Sequence, residues 1–349
     1  KVTKMKKKLP SLCIIVPCYN EEQALPITSL IFLHKIYELE KNNKISKNSR
    51  ILFIDDGSSD NTWNIIKQLS EKNIKFYGIR QSCNRGHQKT LIAGYMETKD
   101  KYDITISIDS DGQDDINTMD SMVDCYLNGY EIVYGVRKNR STDSFFKKFF
   151  AETFYKLMIL MGANIINNHA DYRLVSCKIL KEFEKYEEVN IFLRGLFPLI
   201  GFKSTVVYYD RKARIKGKGH YSLSKMLILA ADGITSLTVR PIHFVFISGV
   251  ITFLSGILLL TYFFYRYFNG KYIDHYISNL SILILLGGIQ LMSIGIIGEY
   301  IGKIYLEVKK RPRYIISDRT NSSKEAETQS DNQENKNFEE KIYNYEKKE

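Results

Sequence analysis

The stretch Ile106 to Asp115 reads ISIDSDGQDD. Its first half belongs to a strand: Ile104, Ile106 and Ile108 alternate with Thr105 and Ser107, the period of two that a pleated sheet imposes. Its second half crowds Asp109, Asp111, Asp114 and Asp115 into seven residues. Like charges that close repel, so something offsets them: water, a cation, or a ligand that a cation holds. In isolation the cluster reads equally well as a solvated loop. Its place after an apolar strand favours a ligand, because open α/β sheets bind their ligands at the carboxyl ends of the strands.

The rest of the first half repeats the pattern. Residues 11–16, 51–54, 74–79, 104–108 and 131–136 are short runs rich in β-branched residues. Helical stretches are expected between them, over about 21–41, 60–72, 87–99 and 116–128. Such alternation implies right-handed βαβ units and a mostly parallel sheet. Two more polar clusters follow strands: PCYNEE after the first and DDGSSDNT after the second. In the latter, Ser59 or Asp60 reads as a helix cap, which leaves Asp55 and Asp56 free for ligand. NRGHQKTLIAG, residues 84–94, is either an ordinary turn into a helix or a phosphate site, with Arg85 beside the helix N-terminus. His87 reads as a first-turn helix residue rather than a base. The D-x-D pair, Asp109 and Asp111, offers hard oxygen ligands suited to Mg2+ or Mn2+ and, through the cation, to a diphosphate.

The chain has 349 residues, five cysteines and a formal net charge of +11. An odd cysteine count without C-x-x-C spacing points to a reducing compartment and to neither zinc nor a disulfide framework. The apolar run at 11–16 is too short for a signal peptide. The charge suits nucleic acid, an anionic membrane or phosphorylated ligands. Residues 242–265 and 277–298 contain no Lys, Arg, Asp or Glu over 24 and 22 positions. Each is long enough to cross about 30 Å of hydrocarbon; a pair of buried core helices is the alternative. Seven cations (Lys225, Arg240, Lys303, Lys309, Lys310, Arg311 and Arg313) flank this pair, against Arg266 and Lys271 in its loop. The positive-inside rule then puts both chain ends in the cytoplasm and makes the protein a multi-pass protein of the cell (inner) membrane. Since the basic residues gather near the membrane segments, the expected partner is the lipid bilayer and not nucleic acid. Residues 144–161 and 221–239 read as interfacial helices. The expected organisation is a catalytic domain over 1–220, a juxtamembrane helix over 221–240, two spans within 241–305 (about 242–265 and 277–300), and a cytoplasmic basic segment with a disordered tail over 306–349.

Taken in order, IIVPCYNEE, LFIDDGSSDNT, NRGHQKTLIAGY, SIDSDGQDD, GVRKNR, ADYRLVSCKIL, LRGLFPLIGFK and YYDRKARIKGKGHYSLSKML, with the two apolar spans, resemble the membrane-anchored family 2 glycosyltransferases that act on polyisoprenyl phosphates. The resemblance implies a GT-A fold and inverting transfer of a sugar from a nucleotide donor to a polyprenyl (undecaprenyl) phosphate, for modification of cell-envelope glycans. UDP-glucose and UDP-GlcNAc are the favoured donors. It places Pro17, Tyr19 and Glu21 in the nucleotide pocket, with Asp55 and Asp56 near base and ribose. Asp109, Asp111 and Gln113 would hold metal and donor diphosphate. Arg137, Arg173, Arg211, Arg214 and Lys218 would face the lipid phosphate. It also implies a homo-oligomer, with a tetramer among the sizes. Gly112, Asp115 or Ile116, and the pair Gly219-His220 depart from residues frequent in the family. Asp114 or Asp171 could orient the acceptor or act as base, although an anionic phosphate does not demand one; Arg173 could instead pair with Asp171 structurally. The basic run 211–218 could also be a lipid-anchoring patch. Two other readings remain: a processive polysaccharide-type transferase, and a non-catalytic nucleotide-binding membrane scaffold.

Overall fold

The computed structural model describes residues 8–138, 169–189, 192–211 and 275–320, with helical positions at intervals between 242 and 268. Within this range the order is β1 (Leu12–Cys18), α1 (Leu25–Lys41), β2 (Arg50–Asp55), α2 (Thr62–Lys72), β3 (Phe76–Gln81), α3 (His87–Thr98), β4 (Ile104–Ser107), α4 (Thr118–Leu127) and β5 (Ile132–Arg137). Then come β6 (His169–Ser176), α5 (Cys177–Glu184), α6 (Leu193–Leu199), β7 (Ser204–Tyr209), α7 (His275–Val308) and β8 (Ile316–Arg319). The five expected strands and four expected helices are all present, with ends shifted by a few residues.

One sheet of eight strands runs in the order β7-β5-β6-β4-β1-β2-β3-β8. Its β1–β4 half is parallel throughout, with Ile14 opposite Ile51 on one side and Ile106 on the other. β6 enters antiparallel between β4 and β5, and β7 lies parallel to β5. Both faces are covered, which explains why β1 is buried at every position. Leu12, Ile14 and Val16 pack with Phe32, Ile36, Trp63, Met119 and Met122 from α1, α2 and α4. Cys13 and Ile15 face the other layer, with Leu91, Ile92 and Tyr95 of α3, Ile179 and Phe183 of α5, and Leu196 and Phe197 of α6. α3 comes so close to the sheet that a Cβ on Gly94 would lie 2.4 Å from Ile54 Cδ1.

Three strands were absent from the sequence expectation. β6 carries Asp171 and Arg173 inside what would be an apolar run. β8 lies within the 306–349 stretch expected as a basic segment and disordered tail. It forms instead an antiparallel edge on β3, with Thr320 N donating to Gly78 O (2.9 Å). The 144–161 and 221–239 helices, Arg214, Lys218 and the tail from 321 lie outside the described residues, as does much of the 242–265 span. Among the described residues no helix is long and apolar enough to cross a membrane. α7 has 34 residues over the expected second span, but many of its side chains between 275 and 292 fall outside the description.

Candidate active site

The polar clusters after β1, β2 and β4 meet at one edge of the sheet. The first two are stitched together by side chains. Asn20, at φ 55°, donates its N–H to Ser58 Oγ (2.9 Å), and its Oδ1 accepts from Ser59 N (2.9 Å). Glu21 N donates to Thr62 Oγ1, which donates to Asp60 Oδ1. Asp60 also accepts from Thr62 N (3.0 Å), but the cap position of α2 is held by Asn61, whose side chain makes no cap bond, so neither Ser59 nor Asp60 is the expected cap. Pro17 lies in β1 opposite Ile54, and Tyr19 stands 43% exposed at the rim.

Asp55 and Asp56 are not free, contrary to expectation. Asp55 is fully buried; its Oδ1 accepts from Ser58 N (3.0 Å), and Arg80 Nε lies 3.0 Å from its Oδ2. Asp56 accepts from Gln81 Nε2 (2.8 Å), Arg85 N (2.8 Å) and Gly86 N (3.0 Å). Burial raises the Asp56 carboxyl, and the Arg85 and Gly86 amides oppose that rise. Both carboxylates therefore shape loops 56–60 and 82–86. Gly57 fits between these loops only as glycine: its φ is +66°, and a Cβ would lie 2.6 Å from the backbone carbon of Cys83.

The third cluster lies beside them. Asp111 is buried and accepts from Gln113 N through Oδ1 (3.1 Å). Asp109 keeps 34% of its side chain exposed. Burial pushes its carboxyl up to about 6; His87 works against this, and Asp114, Asp111 and Asp171 add to it. A dication would relieve that crowding, so the donor set fits one. Among the described residues no three His, Cys, Asp or Glu gather into a metal cage.

Asp114 is sunk against β5 and β7. Tyr209 Oη donates to its Oδ1 (2.6 Å), Arg137 Nη2 lies 3.5 Å from the same oxygen, and Arg137 Nε donates to Tyr209 Oη (3.3 Å). Arg211 Nη2 donates to Gln113 Oε1 (2.5 Å), which brings the first residue of the basic run to the acidic loop.

Asp171 is a hub. Arg173 Nη2 (2.6 Å) and Arg194 Nη2 (3.0 Å) pair with its two oxygens, and His87 Nε2 lies 3.4 Å from Oδ2 and 3.7 Å from Asp109 Oδ1. Burial would raise the Asp171 carboxyl, but Arg194, His87 and Arg173 together hold it well below the usual carboxylate range. Arg173 is 0% exposed, lies 4.9 Å from the Phe197 ring centroid and donates to Leu193 O. The expected contact of Arg173 with a lipid phosphate is thus closed off, and its structural pairing with Asp171 is what the chain adopts. Sequence reasoning assigned no site role to Arg194 and Tyr209, although both stand in quoted motifs, and it set His87 aside. The pairing of β6 with β4 and the docking of α3 and α6 bring His87 and Arg194 to Asp171, while β7, lying along β5, brings Tyr209 to Asp114.

The family Glycosyl transferase family 2 matches residues 13–183, and the GtrB C-terminal hairpin matches 240–304. The chain is 47% identical over 317 residues to the uncharacterized glycosyltransferase YkoT of Bacillus subtilis (strain 168), covering 89% of this chain and 93% of that one. It is 35% identical over 315 residues to the bactoprenol glucosyl transferase of Shigella phage SfX, covering 88% and 99%. It is 34% identical over 312 residues to the prophage bactoprenol glucosyl transferase homolog of Escherichia coli (strain K12), covering 87% and 98%.

Proposed function

Because the chain belongs to glycosyl transferase family 2, it is an enzyme of glycosyl transfer, and we propose that it moves a sugar from a nucleotide donor to a polyprenyl phosphate at a membrane surface. The observation that carries the reading is the edge where the acidic loop 109–114 meets basic side chains: Arg137 lies on Asp114, Arg211 on Gln113, and Arg194 on Asp171, which His87 links to Asp109. UDP-glucose is the first donor to try, since two of the relatives are bactoprenol glucosyl transferases or homologs by name; UDP-GlcNAc is the second.

The nucleotide occupies the edge between loops 56–60 and 82–86, beside Pro17, Tyr19 and Glu21. Asp55 and Asp56 hold the walls of that pocket by their backbone and side-chain bonds. Arg85, at the start of α3, faces phosphate. Asp109 and Asp111, with Gln113, would hold Mg2+ or Mn2+, which when bound supplies Lewis-acid stabilisation to the departing diphosphate. In the reaction a phosphate oxygen of the acceptor attacks the anomeric carbon. The bond from that carbon to the donor diphosphate breaks, its electron pair leaves with the nucleoside diphosphate, and the configuration inverts. The acceptor oxygen is already anionic near neutral pH, since a phosphate monoester loses its second proton near pKa ~6. No base is required. Asp171, held ionised by two guanidiniums, is a poor proton acceptor and works by positioning; Asp114 does the same for Arg137 and Tyr209.

The membrane side of the reading rests on the matched hairpin and on α7. Leu283, Ile294, Ile297, Ile301 and Ile304 stand exposed along that helix, as lipid-facing side chains would. The hairpin would form two spans, with both termini and the catalytic domain on the cytoplasmic side. The full chain reconstituted with undecaprenyl phosphate and a panel of radiolabelled nucleotide sugars tests the proposal. Label in a lipid-soluble product from one donor supports it, and label from none refutes it.

A further inference from the structure

Two arginines share the Asp171 carboxylate, and they are not equivalent. Arg173 is sealed: 0% exposed, against the Phe197 ring, with Leu193 O as a second partner. Arg194 reaches the same carboxylate through Nε (3.4 Å) and Nη2 (3.0 Å), yet 31% of its side chain faces solvent. The carboxylate already has Arg173 at 2.6 Å and His87 at 3.4 Å.

The position of Arg194 gives its exposed part a use. His87 links Asp171 to Asp109, so the guanidinium stands one carboxylate and one imidazole away from the proposed donor-diphosphate ligand. The segment leading into α6 is tied at both ends. Val189 N donates to Glu307 (2.8 Å to Oε2), near the C-terminal end of α7, and Leu193 N donates to Gln88 Oε1 (2.9 Å), in the first turn of α3. Arg194 therefore lies between the end of the hairpin helix and the acidic loop. A lipid phosphate reaches the site from the hairpin side, because its chain keeps it at the headgroup level.

We propose that Arg194 binds the phosphate of the lipid acceptor, a role that rests on the polyprenyl-phosphate reading above. Asp171 fixes the guanidinium plane in advance, so little side-chain entropy is lost when the phosphate docks. Arg194 takes the part that the sequence suggested for Arg173, while Arg173 anchors the shared carboxylate from inside the core.

The test uses the full chain in vesicles of uncharged lipid containing undecaprenyl phosphate, so that surface attraction to anionic lipid plays no part. Arg194→Ala should raise the acceptor KM by roughly tenfold or more, the worth of a charge-assisted contact. The nucleotide-sugar KM should stay within about twofold, and Arg194→Lys should recover part of the loss, because it restores charge without the planar fork. An acceptor KM unchanged in Arg194→Ala would overturn the proposal, and so would parallel losses for donor and acceptor, which mark a strut. A wild-type chain that transfers no sugar to undecaprenyl phosphate would sink the acceptor reading and this proposal together. Normal wild-type transfer with an indifferent Arg194→Ala sinks this proposal alone.

Discussion

Removing the Asp171 carboxylate should lower the stability of the fold as well as touch the site. In Asp171→Ala the guanidinium of Arg173, 0% exposed, loses its ionic partner and keeps only Leu193 O and the Phe197 ring. Breaking a buried pair by removing one partner costs about 3–5 kcal/mol, since an uncompensated charge stays in the core. For a domain of this size about 2–4 °C of melting temperature goes with each kcal/mol, so the midpoint should fall by roughly 6–20 °C. The single tryptophan, Trp63, is buried in the opposite layer of the sheet, and its fluorescence reports global unfolding. Replacing both partners with apolar groups, Asp171→Leu with Arg173→Met, should restore most of the loss, because no buried charge is then stranded. The pH dependence has a fixed sign. The folded-state pKa of Asp171 lies below its unfolded value of about 3.9, so the stabilisation is complete above that pH and fades as pH falls through it. The gap between wild type and Asp171→Ala should accordingly stand at neutral pH and narrow below about pH 4. A midpoint drop under about 3 °C, or a double variant no more stable than the single one, would show that Arg173 is not held as described.

Asp111→Asn should abolish most transfer while leaving the melting midpoint near wild type, because an amide is a poor ligand for a hard cation; full activity in EDTA would remove the metal from the account. Gly57→Ala should cost about 1–3 kcal/mol and weaken nucleotide-sugar binding, since both its φ and its approach to Cys83 exclude a Cβ. Unchanged donor affinity would detach the 56–60 loop from the nucleotide pocket. A cysteine placed at Asn269 should react with an impermeant thiol reagent on intact cells and one at Ser322 should not; the reverse labelling would invert the proposed topology.

The parallel half of the sheet was legible because its strands announce themselves. Leu12 to Val16 are apolar throughout, Ile104, Ile106 and Ile108 alternate with the buried Thr105 and Ser107, and each run is followed by a polar cluster at the edge where ligands bind. β6 was not legible as a strand. Its Asp171 and Arg173 break the apolar pattern, and only their mutual pairing, with Arg194 and His87, makes their burial tolerable. β8 reads as the start of a polar tail because an edge strand needs no apolar face; it is held by backbone bonds to β3 and by Thr320. The same limit governs the site. Sequence shows that Asp55 and Asp56 carry charge, but not that Arg80, Gln81 and three backbone amides engage it. Arg194 stood in a quoted motif without a role, because nothing local shows that α6 docks it on a strand more than 20 residues earlier.

The central claim, sugar transfer to a lipid phosphate, is tested most directly by product stoichiometry. The purified chain is incubated with the donor that the panel selects and with undecaprenyl phosphate in vesicles. Released nucleoside diphosphate and lipid-linked sugar are then measured side by side by mass spectrometry. The account predicts one lipid-linked sugar for each nucleoside diphosphate released, and loss of both in Asp109→Asn. Nucleoside diphosphate released without the lipid product, or the same turnover in Asp109→Asn, would contradict it.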